Sequence, residues 1–334
     1  MRASVVVRSK DEADRLRLTF ASLAAQTERP QVVVVDDGSV DHTQEVIAEA
    51  AAELELISVR NGSPAGRSAA SNAGAARATG DIVIFLDGDT LAAPGMVAQH
   101  VTSHRAAPRL IVRGENWHLR CTRPFLDPEA GTPRPGEESR VARMSEAERS
   151  RSVITRDDIR HDFAGVERRA QPGVYPGFGP RLLQELELDA LRADPENEVL
   201  WAAASGSNQS VDRIAFLEVG GFDEKLTINE HRELALRLCK RGLRMAATSA
   251  RAYHMIHRNG WRDPLEDTAW EQIFYDAHPI PEVALLRFFW ASLSDGAGSS
   301  RGRIGSLREL AAAADRCRDI RGLPAVREAH LMFA

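Results

Sequence analysis

Three cysteines in 334 residues, Cys121, Cys239 and Cys317, are too far apart and odd in number for a disulfide framework or a zinc knuckle. Free, mostly buried thiols are expected instead. Long apolar runs are missing as well. The stretch from Val283 to Leu293 is interrupted by Arg287, and it is about half the ~20 residues that a membrane span needs. The opening MRASVVVRSKDEADR returns to charge after a few apolar residues, so no signal peptide is expected. The predicted location is cytoplasmic, soluble or at most peripherally membrane-associated. There is no basic surplus: 43 Lys and Arg against 48 Asp and Glu leave a net charge of −5. That balance argues against a nucleic-acid partner, although it permits a local basic cleft for phosphates. No Gly-x-Gly-x-x-Gly follows a strand, which disfavours a dinucleotide-dependent dehydrogenase. No Gly-rich, Arg/Lys-containing loop lies between Ser9 and Leu18, which disfavours a nucleotidyltransferase.

What is present is a strand–helix alternation through the first third. Ala3–Val7 is a short β-branched run, and Glu12–Ala25 carries Leu16, Phe20 and Leu23 on one helical stripe. Val32–Val35 is an unbroken valine run, the mark of a strand covered on both faces. Helices are predicted over 43–54 and 67–78, the second stopped by Gly80, and strands over 56–59 and 82–86. This order predicts an α/β fold with a doubly wound, mostly parallel sheet flanked by helices. From 122 to 169 the chain is rich in Pro, Glu and Arg and reads as a long, partly helical excursion. Beyond it, 228–241 has the pattern of an amphipathic helix, 244–253 that of a strand, and 306–320 that of a helix.

Two acidic clusters fall at strand ends, where doubly wound sheets bind ligands. Asp36-Asp37-Gly38-Ser39 follows the valine run, and Asp87-Gly88-Asp89 follows the strand at 82–86. In extended chain, residues i and i+2 point to one side. Asp87 and Asp89 are thus presented together, a pair suited to a hard divalent cation. Gly88 between them admits a bulky ligand close to the backbone. Both clusters are also ordinary turn chemistry.

The stretches VVVVDDGSVDHTQEVI and GRSAASNAGAARATGDIVIFLDGDT, followed by SGSNQSVDRIAFLEVGGFDEKLTINEHRELALRLCKRG, resemble family 2 glycosyltransferases with the GT-A fold. The resemblance covers about residues 3–100 and 201–258. It implies that Arg8, at the end of the first strand, lies beside the nucleobase, and that Asp37 binds the uracil or ribose. Asn72 falls where the family often has Ala-Arg-Asn; here the segment reads Ala70-Ser71-Asn72, with Arg67 as a substitute for the missing arginine. Asp87 and Asp89 match the family's Asp-x-Asp pair, Asp89 as the principal metal ligand and Asp87 towards the ribose or a metal-bound water. His254 completes the metal site, with His257 as the second choice. Ser207 and Asn208, within Ser205–Asn208, line the sugar or acceptor cleft. The segment around Thr227–Glu233 matches the one that holds the catalytic base. The usual aspartate is replaced by His231, so Glu230 and His231 are both candidates. For Glu230 the competing role is structural, because Thr227-x-x-Glu230 is also a capping box. Trp201 and Trp261 are read as sugar-stacking or core residues, and Arg258 and Arg262 as helpers in the cleft.

The expected activity is transfer of a sugar from a nucleotide-diphosphate donor, most commonly a UDP-sugar, with Mn²⁺ or Mg²⁺ as cofactor. The resemblance implies inversion. The acceptor, whether saccharide, lipid carrier, peptide or small natural product, is left open. The alternatives are a nucleotidyltransferase and a non-catalytic nucleotide-sugar-binding protein. The expected organisation is a nucleotide-sugar half (1–115), an insertion bearing on acceptor choice (116–200), an acceptor and catalytic half (201–260) and a helical extension (261–334).

Overall fold

The structure, a computed structural model, describes residues 1–172, 182–257, 264–292 and 302–334, the side chains of 182–184 excepted. Its strands are β1 (Ala3–Ser9), β2 (Gln31–Asp36), β3 (Leu56–Arg60), β4 (Ile82–Asp87), β5 (Thr90–Ala92), β6 (Leu110–Leu119), β7 (Phe125–Asp127), β8 (Thr132–Pro133), β9 (Gln171–Pro172), β10 (Gln209–Asp212) and β11 (Arg244–Met255). The helices of the first third are α1 (Ala13–Ala24), α2 (Thr43–Ala50), α3 (Arg67–Arg77) and α4 (Met96–Ala106). The excursion holds α5 (Glu138–Ala142), α6 (Glu146–Ser152), α7 (Arg156–His161), α8 (Phe163–Arg169) and α9 (Leu182–Ala193). Then come α10 (Arg213–Glu218), α11 (Glu230–Lys240), α12 (Ala269–Ala277), α13 (Pro281–Ala291), α14 (Leu307–Arg316) and α15 (Leu323–Phe333).

Among the described residues all strands but β7 and β8 join one sheet, in the order β3-β2-β1-β4-β10-β6-β11-β5, with β9 beside β6. Strands β1 to β4 are mutually parallel, as are β6 and β11, while β10 runs antiparallel between β4 and β6. The expected α/β class and mostly parallel sheet are both found. The valine run explains the left half. Val33 joins Val6, Val83 and Phe85 in one core, and Val32 and Val34 join Val5, Val7, Ile82 and Ile84 in another. Alternate residues of a strand point to opposite faces, so a continuous apolar run feeds two cores. Full burial of one such side chain contributes about 1.5–3 kcal/mol. Helix α3 packs onto this half so closely that a side chain at Gly74 would collide with Val6.

The larger core continues into the C-terminal extension, where Phe274, Leu285, Phe289, Leu310 and Val326 are buried together. The helix predicted over 306–320 ends at Arg316, and Gly322, at φ 94°, starts a separate α15. Of the three free cysteines only Cys317 is fully buried. Among the described residues no helix is long and apolar enough to cross a membrane.

Candidate active site

Sheet register assembles the site. At the carboxyl ends of the parallel strands Ser9 pairs with Asp36, and Arg8 with Asp87. The Asp37 amide then donates to the Ser9 carbonyl at 2.9 Å, and the Gly88 amide to the Arg8 carbonyl at 2.9 Å. Gly88 is needed for that approach, because a Cβ there would lie 2.8 Å from the Ser9 Cβ. Directly after Asp89 the chain becomes β5, which pairs antiparallel with β11 and sets Thr90 opposite His254. The Met255 amide donates to the Asp89 carbonyl at 2.9 Å. Asp89 and His254, 165 residues apart, thereby become neighbours.

His254 Nε2 lies 3.2 Å and His257 Nε2 2.8 Å from the same oxygen, Asp89 Oδ2. The ligand atoms of Asp89, His254 and His257 all fall within 4.8 Å of one another. One carboxylate oxygen and two imidazole nitrogens this close make a mixed oxygen and nitrogen donor set that can hold a divalent transition-metal cation, Mn²⁺ among them. Burial works against ionisation of Asp89, but the two imidazoles outweigh it and hold the carboxyl well below the usual range. Asp87 stands outside that cluster: its Oδ1 is 2.7 Å from Arg8 Nη2, and its amide donates to Ser207 Oγ at 3.1 Å.

Arg8 is the hub of the crevice. It also donates to Ser71 Oγ at 3.1 Å and to the Gly206 carbonyl at 3.4 Å. Burial would lower its pKa, but the carboxylates of Asp87, Glu230 and Asp89 raise it on balance. A methyl group on Gly206 would lie 3.5 Å from His231 Nδ1, 3.8 Å from Arg8 Nη2 and 3.9 Å from Glu230 Oε1, so these groups converge on that glycine. Asn229, at φ 64°, turns the chain so that α11 begins at Glu230. The expected capping box is not formed, because the cap is Asn229 rather than Thr227. Burial raises the Glu230 pKa, yet His231, Arg67 and Arg8 together hold it down at about 2. His231 Nε2 sits 2.8 Å from Arg232 Nη1, and its Nδ1 is 3.9 Å from Glu230 Oε2.

The other predicted residues have different surroundings. Asp37 Oδ1 accepts from Asn61 Nδ2 at 2.7 Å and from the Ala65 amide at 2.8 Å, and Oδ2 from the Gly66 amide at 2.9 Å. Asn72 clips the Phe222 backbone, accepting its N–H at 2.8 Å and donating to its carbonyl at 3.0 Å. Arg67 donates to the Thr227 carbonyl at 3.2 Å. Asn208 is fully buried at φ 56° and bonds His100 and the carbonyls of Glu115 and Ala250. It braces the sheet beneath the crevice. Trp201 is a core residue against Phe274. Trp261, Arg258 and Arg262 lie outside the described residues.

The sequence reading missed four residues. Asn116 donates to Ser205 Oγ at 3.0 Å and to the Ser207 carbonyl at 3.3 Å, and the ring of His118 stands 5.5 Å from that of His254. Their i, i+2 spacing in the segment ENWHL was the available signal. The other two are Glu187 and Arg232, both buried, and joined at 2.5 Å. No local pattern pointed to them.

A mostly parallel sheet whose carboxyl edge gathers acidic, imidazole and guanidinium groups has the architecture of the GT-A fold. Residues 4–118, about a third of the chain, match the model of glycosyl transferase family 2, and that segment belongs to the family. Validoxylamine A glucosyltransferase of Streptomyces hygroscopicus subsp. jinggangensis is 30% identical over 255 residues, covering 73% of this chain and 53% of that protein. The chain spans about a third to a half of the length of curated relatives it matches (30% and 53% for two of them). Among solved structures, GalNAc-T7 with UDP, GalNAc and Mn²⁺ has a TM-score of 0.54 at 18% identity, covering 87% of this chain and 50% of that one. A mannosyltransferase from Pyrobaculum calidifontis with GDP-Man and Mn²⁺ has a TM-score of 0.50 at 17% identity, covering 99% and 73%.

Proposed function

We propose that the chain is an inverting, metal-dependent glycosyltransferase that moves a sugar from a UDP-sugar to a hydroxyl of a saccharide, peptide or small natural product. The observation that carries this reading is the convergence of Asp89, His254 and His257 at the strand ends that also present Arg8 and Asp87, with Glu230 brought near Arg8 by the start of α11. A divalent cation, Mn²⁺ or Mg²⁺, held by Asp89, His254 and His257 would supply positive charge against the departing diphosphate. Arg8 adds fixed positive charge in the same crevice. Asp37, with the 61–66 loop tied to it, is assigned to the nucleoside, and residues 116–200 to acceptor choice.

In the reaction the acceptor oxygen attacks the anomeric carbon from the face opposite the leaving group. The bond from that carbon to the diphosphate oxygen breaks, and its electron pair goes to the diphosphate. The acceptor proton goes to Glu230. His231 is the poorer base because its Nε2 accepts from Arg232, which has donors only. Glu230 is ionised and ready, and its low proton affinity is offset as the hydroxyl acidifies during attack.

The test is incubation of the protein with UDP- and GDP-sugars, with and without Mn²⁺ or Mg²⁺, following melting temperature and nucleoside diphosphate release. One donor should raise the melting temperature only with the cation and be slowly hydrolysed without acceptor. Pyrophosphate release from a nucleoside triphosphate would mark a nucleotidyltransferase instead. Binding without turnover against any acceptor would mark a binding protein. No response to any donor would end the proposal.

A further inference from the structure

A buried charge network lies behind the catalytic helix. Glu187, on α9 of the excursion, is 1% exposed and holds two arginines. Its Oε2 pairs with Arg113 Nη1 of β6, and its Oε1 with Arg232 Nη2 of α11 at 2.5 Å. Arg232 is further fixed by donating from Nε to the Ala202 carbonyl at 2.7 Å and from Nη1 to Asn229 Oδ1 at 3.0 Å. The ring of Trp290, on α13, lies 4.5 Å from its guanidinium carbon. Two segments outside the family resemblance, the excursion and the C-terminal extension, therefore meet α11 at one guanidinium.

That guanidinium determines what His231 can do. Arg232 Nη1 points an N–H at His231 Nε2 from 2.8 Å. A guanidinium cannot accept, so Nε2 must present its lone pair and the ring proton must sit on Nδ1. Nδ1 is buried, has no hydrogen-bond partner, and lies 3.9 Å from Glu230 Oε2. It is also the atom nearest Gly206 at the crevice. A buried N–H without a partner is costly, and it is retained at the point where reacting groups converge.

We propose that Glu187 is a positioning residue: through Arg232 it locks His231 in the Nδ1–H form, so that His231 acts as a hydrogen-bond donor toward Glu230 or the bound substrate and not as the base. This rests on the glycosyl-transfer reading above. Without the Glu187 carboxylate, two buried guanidinium groups repel each other and Arg232 loses the anchor that aims Nη1 at the ring.

Nitrogen NMR of the full chain carrying labelled histidine tests this, with the His231 signals assigned by their loss in His231→Asn. The wild type should show a protonated Nδ1 and a bare Nε2; an Nε2–H ring or an imidazolium overturns the proposal. In Glu187→Gln the tautomers should mix, and kcat should fall about tenfold with donor KM within about twofold. On a His231→Asn background the same Glu187→Gln change should cost almost nothing, because both act through one ring. An undiminished loss on that background, or a folded Glu187→Gln protein with normal kcat, overturns it. If Glu187→Gln does not fold, the wild-type tautomer still decides. A wild type that turns over no donor would defeat the glycosyl-transfer reading and leave the tautomer result standing.

Discussion

The turns that follow β2 and β4 have nearly the same chemistry and different partners. Asp37, the cluster's predicted ligand-binding residue, is satisfied by neutral donors, Asn61 and two amides of the 61–66 loop, while the buried Asp36 takes the Ser39 amide at 2.8 Å, the Gln44 side chain and an ion pair with Arg60 at 3.5 Å. Asp87 and Asp89 are satisfied by charged or titratable side chains, Arg8, His254 and His257, the two histidines coming from the far end of the sheet. Backbone donors shape a loop. Guanidinium and imidazole groups set a fixed positive charge and metal-binding nitrogens beside the carboxylates. An acidic turn is thus assigned by its donors rather than by its own sequence.

The largest effect should fall on the second turn. Asp89→Asn should lower kcat/KM by about a thousandfold, about 4 kcal/mol of transition-state stabilisation, with the melting temperature close to wild type. Measured at saturating Mn²⁺, wild-type activity would erase the distinction between the turns. Glu230→Gln comes next. Loss of the base should lower kcat by about a hundredfold or more at unchanged donor KM, whereas His231→Asn should cost roughly tenfold. A reversed order would return the base to His231.

Contrasting with the site histidines are two in the core. His100 bonds Ser210 and Asn208, each at 2.8 Å, and His104 bonds Ser210 at 2.9 Å. Burial, the leading cause, lowers both to about 4. Above pH ~6.5 neither folded nor unfolded chain protonates these rings. Below it the unfolded chain takes up protons first, so stability is lost as pH falls from ~6.5 and levels off near 4. Each ring contributes up to about 3 kcal/mol to that loss. Chemical denaturation at several pH values should show this slope, and His104→Gln should flatten it. An unaltered slope would place the sensitivity elsewhere.

How much was legible follows the range of the contacts. Val32–Val35 announced a strand covered on both faces, because burial pattern is written locally. Asp89 was legible as one of a carboxylate pair at a strand end, but His254 only through family resemblance; their meeting depends on the β5–β11 register. Ser205–Asn208 read as cleft lining, yet Asn208 turns at φ 56° into the core, where His100 awaits it. Thr227-x-x-Glu230 had the spacing of a capping box, but Asn229 in the left-handed region starts the helix later. Glu187 fell within the insertion at 116–200 with no motif around it. Its partners are 74 and 45 residues away, beyond any local pattern.

The smallest predicted effect tests the first turn. In Asp37→Asn one acceptor oxygen remains, while the new NH₂ faces donors among Asn61 Nδ2 and the amides of Ala65 and Gly66. A donor set against a donor loses hydrogen bonds and leaves an amide poorly satisfied, at a cost of about 1–2 kcal/mol. The 61–66 loop should loosen, with faster amide exchange at Ala65 and Gly66. If the same carboxylate also meets the nucleoside, donor KM should rise by about tenfold while kcat changes little, the signature of lost uniform binding. A loosened loop with unchanged KM would confine Asp37 to loop structure. A fall in kcat as large as that of Asp89→Asn would mean that the two turns belong to one reacting centre, and the contrast between their donors would lose its meaning.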